Sequence, residues 1–248
     1  SLLWLPYLLM LPYLPVARLI GWIFIMLTIH EMAHMLCAIL FHYPIERINI
    51  YPFGLAATIT HIGHGSLVKE ILIISAGPLM HVLFPSLFQF CVAKGILSPS
   101  FASYLHTINA SILLFNLLPI YPLDGGRLMQ TFFHCFLRFR TAEYATLICS
   151  LISITAVFYF HLLQGVSAVI VLIFLILQIF LSWRSLPLPQ LQFFHYRRLH
   201  PVAYDPILNE SFDLYRGRRN IIKYGRGWID EKDWLRQRFG SEKNSRRP

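Results

Sequence analysis

Six apolar stretches dominate the first three quarters of the chain. A helix that crosses a bilayer needs about 20 mostly apolar residues. The stretches that approach this requirement are residues 1–15, 19–41, 70–93, 103–136, 143–162 and 165–183. The first is short and interrupted by prolines, and the fourth is broken by a Pro- and Gly-rich segment. We therefore predict an all-α polytopic membrane protein with about six transmembrane helices.

The distribution of charge divides the chain into two predicted domains. Residues 1–183 carry seven Lys/Arg and five Asp/Glu, whereas residues 184–248 carry fourteen and seven, so most of the net charge of +9 lies in the second part. We predict a transmembrane domain over residues 1–183 and a basic cytoplasmic tail over residues 184–248. Beside a membrane domain, a basic excess is typical of a segment that faces lipid. We expect contact with the lipid bilayer and no direct binding of nucleic acid.

The orientation of the spans follows from the loops between them, because cytoplasmic loops carry an excess of Lys and Arg. With six spans, residues 42–69 and residues 137–142 lie on the same side as the tail, and each loop carries two basic residues. The loops on the other side contribute only Arg18 and Lys94. We predict a multi-pass integral membrane protein with both termini in the cytoplasm.

Residues 44–65 interrupt the helical pattern after the second stretch. Two prolines and three glycines in this segment exclude a long helix. Residues 48–51 and 57–60 have the composition of short strands. We predict a short β-like insertion near the active site.

Two of the five acidic residues before position 184, Glu31 and Asp124, lie inside apolar stretches. The other three, Glu46, Glu70 and Glu143, lie at span ends, where we expect water to solvate them. An ionisable side chain within a membrane costs several kcal/mol and is by default a candidate for function. Glu31 and Asp124 are therefore the first candidates for chemistry.

His30, Glu31 and His34 form an H-E-x-x-H pattern within the second stretch. On a helix, residues i and i+4 lie about 6 Å apart on one face, so both imidazoles can bind one zinc ion. Glu31 is offset by about 100° and can act as the general base on a water molecule. The pattern predicts one zinc ion bound by the two histidines, with Glu31 catalytic. Two alternatives remain open, a polar pair buried in a helix bundle and a haem-ligating pair.

Asp124 is the best candidate for the third ligand, because a catalytic zinc needs three protein ligands and one open position. Two prolines before it and two glycines after it break the span and let the backbone turn. Unwound backbone at membrane depth is tolerated where it lines a cavity. An ordinary cytoplasmic loop is the alternative for Asp124, and Cys37 is a rival ligand on the histidine face.

The remaining polar residues of the membrane region give weaker signals. Asn116, at the start of the broken segment, is a candidate for binding substrate or the developing oxyanion. The other histidines before position 184 are scattered along the chain, and we interpret His61 and His64 as loop residues that could modulate the site. These histidines include His42, His61, His64, His81 and His106.

Three stretches of the chain resemble the site-2 protease family of intramembrane zinc metalloproteases. They are His30-Glu-Met-Ala-His34, Ser75-Ala-Gly-Pro-Leu-Met-His81, and the segment from Asn116-Leu-Leu-Pro to Asp124-Gly-Gly126. The resemblance implies zinc ligation by His30, His34 and Asp124, general-base catalysis by Glu31, and substrate binding by Asn116.

The resemblance also implies a function and partners. It is strongest to sporulation members of the family, which implies an endopeptidase that cuts a membrane-associated pro-sigma factor and is held by membrane inhibitory proteins. For the tail it raises a partial cystathionine-β-synthase-type module as an alternative. Two other functions remain open, a membrane His-box metal oxidoreductase and a non-catalytic membrane scaffold that retains the motif.

Overall fold

The computed structural model describes residues 14–51, 54–60, 62–160, 165–202 and 204–239. The chain divides into two compact units. The first unit takes its described residues from Ser1–Ile62 and Ile71–Leu118, and the second from Gly63–Glu70 and Pro119–Pro248. The predicted domain division at residue 183 stays a prediction.

The first unit is built mainly from long helices. Its elements are α1 (Leu14–Leu40), the strands β1 (Ile45–Tyr51) and β2 (Gly54–Ile59), α2 (Leu67–Ala93) and α3 (Pro99–Asn116). The start of α3 is fixed locally, because Ser98 Oγ accepts a hydrogen bond from the Phe101 amide and Pro99 occupies the first turn. Two prolines lie inside α2.

An apolar core joins the three helices formed by the described residues of this unit. Met26 of α1 is buried against Phe84 and Phe88 of α2 and Leu105 of α3. The rings of Trp22 and Phe88 meet edge to face, with their centroids 5.9 Å apart. Because His30 follows Met26 by one helical turn, this core directs His30 into the bundle and away from lipid.

The strands β1 and β2 pair as an antiparallel hairpin, in agreement with the predicted β-like insertion. Helix α1 ends at Leu40, and the turn that follows contains His42, which has a φ of 62°. The Tyr43 amide then donates to the Ala38 carbonyl oxygen. Ala38 and Tyr43 are buried with Ile73, and Ile59 of β2 packs against them. The hairpin therefore lies against the last turns of α1, close to His34.

The second unit combines helices with a small sheet. Its elements are α4 (Asp124–Phe136), α5 (Phe139–Tyr159), α6 (Val166–Ser185), α7 (Pro187–Leu199), β3 (Pro206–Asn209), β4 (Arg219–Tyr224), β5 (Gly227–Asp230) and α8 (Glu231–Phe239). Strand β4 pairs in parallel with β3 and antiparallel with β5. This three-stranded sheet adds a β element that the predicted all-α class did not include.

The described part of the basic tail is folded. Phe193 of α7 is fully buried and stacks on Phe139 of α5, with ring centroids 4.5 Å apart. Trp234 and Leu235 of α8 are buried in the same core. An ion pair between Arg197 Nε and Glu231, 2.8 Å apart, connects α7 to the start of α8. Aromatic packing therefore holds the tail against α5, and the buried ion pair joins two helices within the tail.

Glu70 differs from the prediction that water solvates it at a span end. Its side chain is only 1% exposed and forms an ion pair with Arg216, whose side chain is also 1% exposed. Glu70 Oε1 accepts a hydrogen bond from the Gly63 amide at 2.9 Å, and Arg216 donates to the Gly65 carbonyl oxygen at 3.1 Å. No local pattern indicates this pair, because Arg216 lies 146 positions away in a segment predicted to face water.

Three of the described helices are long and apolar enough to cross a membrane, within α1, α2 and α5. The bent pair of α6 and α7, with a 57° angle between its parts, brings the number to four if it forms one span. The predicted fourth span, residues 103–136, consists of two helices, α3 and α4. Most of the first predicted span lies outside the described residues, so the count of six stays a prediction.

Candidate active site

Helix α1 brings His30 and His34 together on its buried face. Both residues are buried, with His30 4% exposed and His34 8% exposed. Their Nε2 atoms lie 3.0 Å apart, and the rings meet edge to face. The other ring nitrogen of His34, Nδ1, lies 2.8 Å from the Ile73 carbonyl oxygen. Because a carbonyl oxygen only accepts, Nδ1 of His34 carries a proton and Nε2 presents its lone pair.

His30 is held by a longer chain of contacts. Its Nδ1 lies 3.1 Å from His81 Nε2. His81 Nδ1 in turn lies 2.7 Å from Asn109 Oδ1, and Asn109 Nδ2 donates to the His81 carbonyl oxygen at 2.9 Å. His81 and Asn109 are 1% and 4% exposed. One residue from each of α1, α2 and α3 therefore contributes to a single buried polar chain.

The histidine pair has the donor types and spacing that a zinc ion requires. Two nitrogen ligands at 2.0–2.1 Å from a tetrahedral zinc lie about 3.3 Å apart. The observed separation of 3.0 Å between the Nε2 atoms is close to that value. The second ring nitrogen of each histidine has a polar partner, as is usual for metal-binding histidines.

Gly77 allows α2 to approach the histidine pair closely. A Cβ atom at this position would lie 2.6 Å from Cε1 of His34 and 2.7 Å from Cε1 of His30, and it would overlap His34 Nε2. These separations are shorter than carbon atoms tolerate, so any side chain would displace either the rings or the helix. The glycine of the Ser75-Ala-Gly-Pro stretch is therefore required by the site's packing.

Two further side chains of α1 lie near the pair in sequence. Glu31 follows His30 and is half-buried. Cys37, the rival ligand, is also half-buried and packs with the apolar cluster of Ala38, Tyr43 and Ile73 beneath the hairpin.

Asp124 lies in the second unit as the first residue of α4. The preceding turn is fixed by two hydrogen bonds, from the Tyr121 amide to Ser150 Oγ at 2.9 Å and from the Leu123 amide to the Ile120 carbonyl oxygen at 2.8 Å. The Tyr121–Pro122 peptide bond is cis. Asp124 is half-buried, and the positive end of the helix dipole favours its ionised carboxylate.

Gly126 lets this turn fold back onto the first turn of α4. A Cβ atom at Gly126 would lie 2.5 Å from the Ile120 carbonyl oxygen and would overlap the neighbouring backbone. Ile120 is itself fully buried. The backbone before Asp124 can therefore adopt this turn because Gly126 has no side chain.

The structure thus groups His30, Glu31 and His34 on one helix and adds two residues that sequence reasoning missed, His81 and Asn109. We had grouped His81 with the scattered histidines, although it ends the Ser75–His81 stretch. The signal that could have found Asn109 is its spacing of seven residues from Asn116, which ends α3 and is half-buried. Residues seven apart lie on one helix face.

The sequence of residues 91–160 matches the family described as Peptidase family M50. This segment includes Asn116, Asp124 and the turn between them, and it lies outside the H-E-x-x-H helix. The chain is also similar to Stage IV sporulation protein FB of Bacillus subtilis (strain 168), with 33% identity over 172 residues. That similarity covers 65% of this chain and 57% of the relative, so the chain spans little more than half of the relative's length.

The matched segment carries the third of the three stretches on which the resemblance was based. The similarity to the sporulation protein extends well beyond that segment, since it covers 172 residues compared with the 70 of the family match. The apolar helices α1, α2 and α5 agree with an integral membrane protein. The chain is therefore similar to peptidase family M50 over residues 91–160 and to a stage IV sporulation protein over a longer stretch.

Proposed function

We propose that this protein is an intramembrane zinc endopeptidase. The observation that supports it most directly is the pair of buried imidazole Nε2 atoms, 3.0 Å apart, on the helix that also carries Glu31. A zinc ion held there would act as a Lewis acid towards the attacking water and the scissile carbonyl. The match of residues 91–160 to peptidase family M50 supports the protease assignment.

The proposed catalytic cycle assigns one role to each residue. Glu31 takes a proton from the attacking water, whose oxygen bonds to the scissile carbonyl carbon. As the carbon–nitrogen bond breaks, Glu31 passes that proton to the leaving nitrogen. Asn116 donates a hydrogen bond to the substrate or to the developing oxyanion.

We further propose that Asp124 is the third zinc ligand, beside His30 and His34. The ligand preferences of catalytic zinc sites support this assignment of Asp124. A carboxylate completes a three-ligand catalytic set with two histidines, and Asp124 is an acidic residue inside an apolar region. The hydrogen-bonded turn before Asp124 fixes the backbone position from which its side chain extends.

The proposed substrate is a membrane-associated pro-sigma factor, with membrane inhibitory proteins as further partners. The resemblance to sporulation members of the family supports this substrate, and the similarity to a stage IV sporulation protein supports the developmental context. The basic excess of the tail supports contact with anionic lipid, with both termini in the cytoplasm.

The test combines metal analysis with cleavage. The full chain is purified and reconstituted in phosphatidylcholine–phosphatidylglycerol vesicles, and wild type is compared with Glu31→Gln on a co-reconstituted pro-sigma substrate. We expect one zinc per chain in both proteins and cleavage by wild type alone. Two irons per chain would support the oxidoreductase alternative, and zinc in a wild type that cleaves no membrane-associated substrate would support the scaffold.

A further inference from the structure

We propose that His81 and Asn109 are positioning residues that fix the tautomer and orientation of His30 for zinc binding. The proposal rests on the proposed function, because it concerns the same zinc site. All three residues belong to the first unit and are at most 4% exposed. A chain of hydrogen bonds runs from Asn109 through His81 to His30.

The orientation of Asn109 is fixed by its amide nitrogen. Nδ2 donates to the His81 carbonyl oxygen at 2.9 Å, so Oδ1 is the atom that faces His81 Nδ1 at 2.7 Å. An amide oxygen only accepts hydrogen bonds. His81 must therefore carry a proton on Nδ1, and neutral His81 keeps its lone pair on Nε2.

That lone pair determines the state of His30. His81 Nε2 lies 3.1 Å from His30 Nδ1, so His30 donates from Nδ1 and keeps its lone pair on Nε2. His34 likewise donates from Nδ1, to the Ile73 carbonyl oxygen, and keeps its lone pair on Nε2. Two lone pairs then face each other across 3.0 Å, an arrangement that favours a cation between them because zinc binds the unprotonated nitrogen.

A neutral acceptor for the His30 Nδ1–H group is favourable at this buried position. Metal-binding histidines often donate their second N–H to a carboxylate. A carboxylate beside His30 would place an additional charge inside an apolar bundle, at a cost of several kcal/mol. An imidazole fixed by an amide supplies the required acceptor with no net charge, and it leaves Glu31 and Asp124 as the acidic groups of the proposed centre.

A purely structural role for His81 predicts a different behaviour. Such a role requires only that each buried polar atom has a partner, and replacing His81 with a well-packed apolar residue would alter stability without a selective effect on zinc. The positioning role requires an acceptor at the place of His81 Nε2. Outer-shell partners of metal-binding histidines change metal affinity by roughly 10–100-fold.

The experiment measures zinc affinity of the purified full chain by competition with a chelator, and records the absorption spectrum of the cobalt-substituted protein. We compare His81→Leu with His81→Gln, whose side-chain oxygen can accept from His30, and Asn109→Leu with Asn109→Asp, which retains an acceptor. Leu105→Ala is the matched control, because Leu105 is fully buried one turn before Asn109 and belongs to the apolar core.

We expect His81→Leu and Asn109→Leu to lose roughly 10–100-fold in zinc affinity with a changed cobalt spectrum. His81→Gln should retain most of the affinity, and Asn109→Asp should keep the affinity but lose stability because it buries a charge. Leu105→Ala should lose stability while keeping wild-type affinity and spectrum. Equal zinc affinity in His81→Leu and wild type would overturn the positioning role, as would an equal loss in Leu105→Ala. Failure of the wild type itself to bind zinc would instead overturn the proposed function.

Discussion

His30 Nε2 and His34 Nε2 lie 3.0 Å apart on the buried face of α1, with one helical turn between the residues. The helix alone brings the two side chains within reach of each other, because residues four apart share a face. Contacts from α2 then fix the rings, since the Ile73 carbonyl oxygen holds His34 and His81 holds His30. The chemistry proposed for this pair leads to predictions for the residues that surround it.

Glu31→Gln should keep zinc and fold but lose cleavage. The amide retains the size of the side chain but cannot take a proton from water, and removing a general acid–base costs roughly 10²–10⁴-fold in rate. The measurement is the cleavage rate and the zinc content of each reconstituted protein. A variant that still cleaves with its zinc bound would refute the mechanism.

The sequence predicted that His30 and His34 lie together on one helix face, because both belong to α1. The helical repeat alone determines how His30, Glu31 and His34 are placed relative to one another, because the three residues lie within about one turn of one helix. His81 and Asn109 come from α2 and α3, and their contact with His30 depends on how the helices pack. The spacing of Asn109 from Asn116 indicates only a shared helix face, and a single sequence does not specify how the helices pack. The contact of these residues with His30 is therefore seen only in the structure.

Gly77→Ala should lose zinc affinity and stability together. The added methyl group would overlap the His34 ring and lie 2.7 Å from Cε1 of His30, so α2 must move away from α1. Overpacking of this kind costs about 1–3 kcal/mol. The measurement is zinc affinity by chelator competition, together with the midpoint of thermal unfolding in detergent.

Gly21→Ala is the matched control for Gly77→Ala. Gly21 also lies in a long apolar helix, α1, and a Cβ atom there would meet no atom within 4 Å. We expect it to bind zinc like wild type and to unfold at an equal or higher temperature, because alanine favours the helix. Similar losses in the two variants would mean that Gly77 has no special relation to the histidine pair.

Arg216→Met should strongly destabilise the second unit. It removes the partner of the buried Glu70 carboxylate, and breaking a buried ion pair costs about 3–5 kcal/mol because one charge remains uncompensated. Adding Glu70→Gln to Arg216→Met should recover part of that loss, since the charge is then absent. The measurement is the thermal unfolding midpoint, followed by intrinsic fluorescence.

An exposed ion pair in the same unit provides the control. Lys223 Nζ and Glu210 Oε1 lie 3.1 Å apart with side chains 52% and 69% exposed, so water and salt screen their attraction. Lys223→Met should therefore leave the unfolding midpoint almost unchanged. If Arg216→Met behaves like Lys223→Met, the Glu70–Arg216 pair contributes nothing to holding residues 63–70.

The tail shows where composition is a poor guide to folding. Residues 184–248 contain fourteen basic and seven acidic residues, which predicted a water-facing segment. The described part nevertheless has a core, because Phe193, Leu214 and Trp234 are buried together with Phe139 of α5. Six of the seven buried residues of that core belong to the tail, but they are spread over α7, β4, α8 and the segment before β4. No single run of the tail sequence therefore has the apolar periodicity that would predict this core.

Reporter fusions should place both termini in the cytoplasm. Fusions after Lys94 and near Gln164 should report the side opposite to fusions after Arg140 and Pro248, because basic residues favour the cytoplasmic side. The measurement pairs an enzyme active only outside the cytoplasm with one active only inside. An external signal from the Pro248 fusion would show that the predicted count of six spans is wrong.

Asp124→Ala should lower zinc affinity sharply if Asp124 completes the zinc shell. The two histidines would then bind the ion without a carboxylate, which removes both a bond and a negative charge in an apolar setting. Asp124→Asn should be nearly as damaging, because an amide is a poor zinc ligand despite its similar shape. Asp124→Glu should retain partial activity, because it keeps a carboxylate, although the extra methylene group displaces it.

The alternative of an ordinary loop predicts that all three Asp124 variants bind zinc like wild type. Asp205→Ala is the matched control, because the Asp205 side chain is 90% exposed and its Arg218 partner lies 3.8 Å away. Zinc per purified chain is measured for each variant alongside cleavage of one substrate. Normal zinc occupancy in Asp124→Ala would remove Asp124 from the ligand set, and Cys37, half-buried one turn beyond His34, would be tested next.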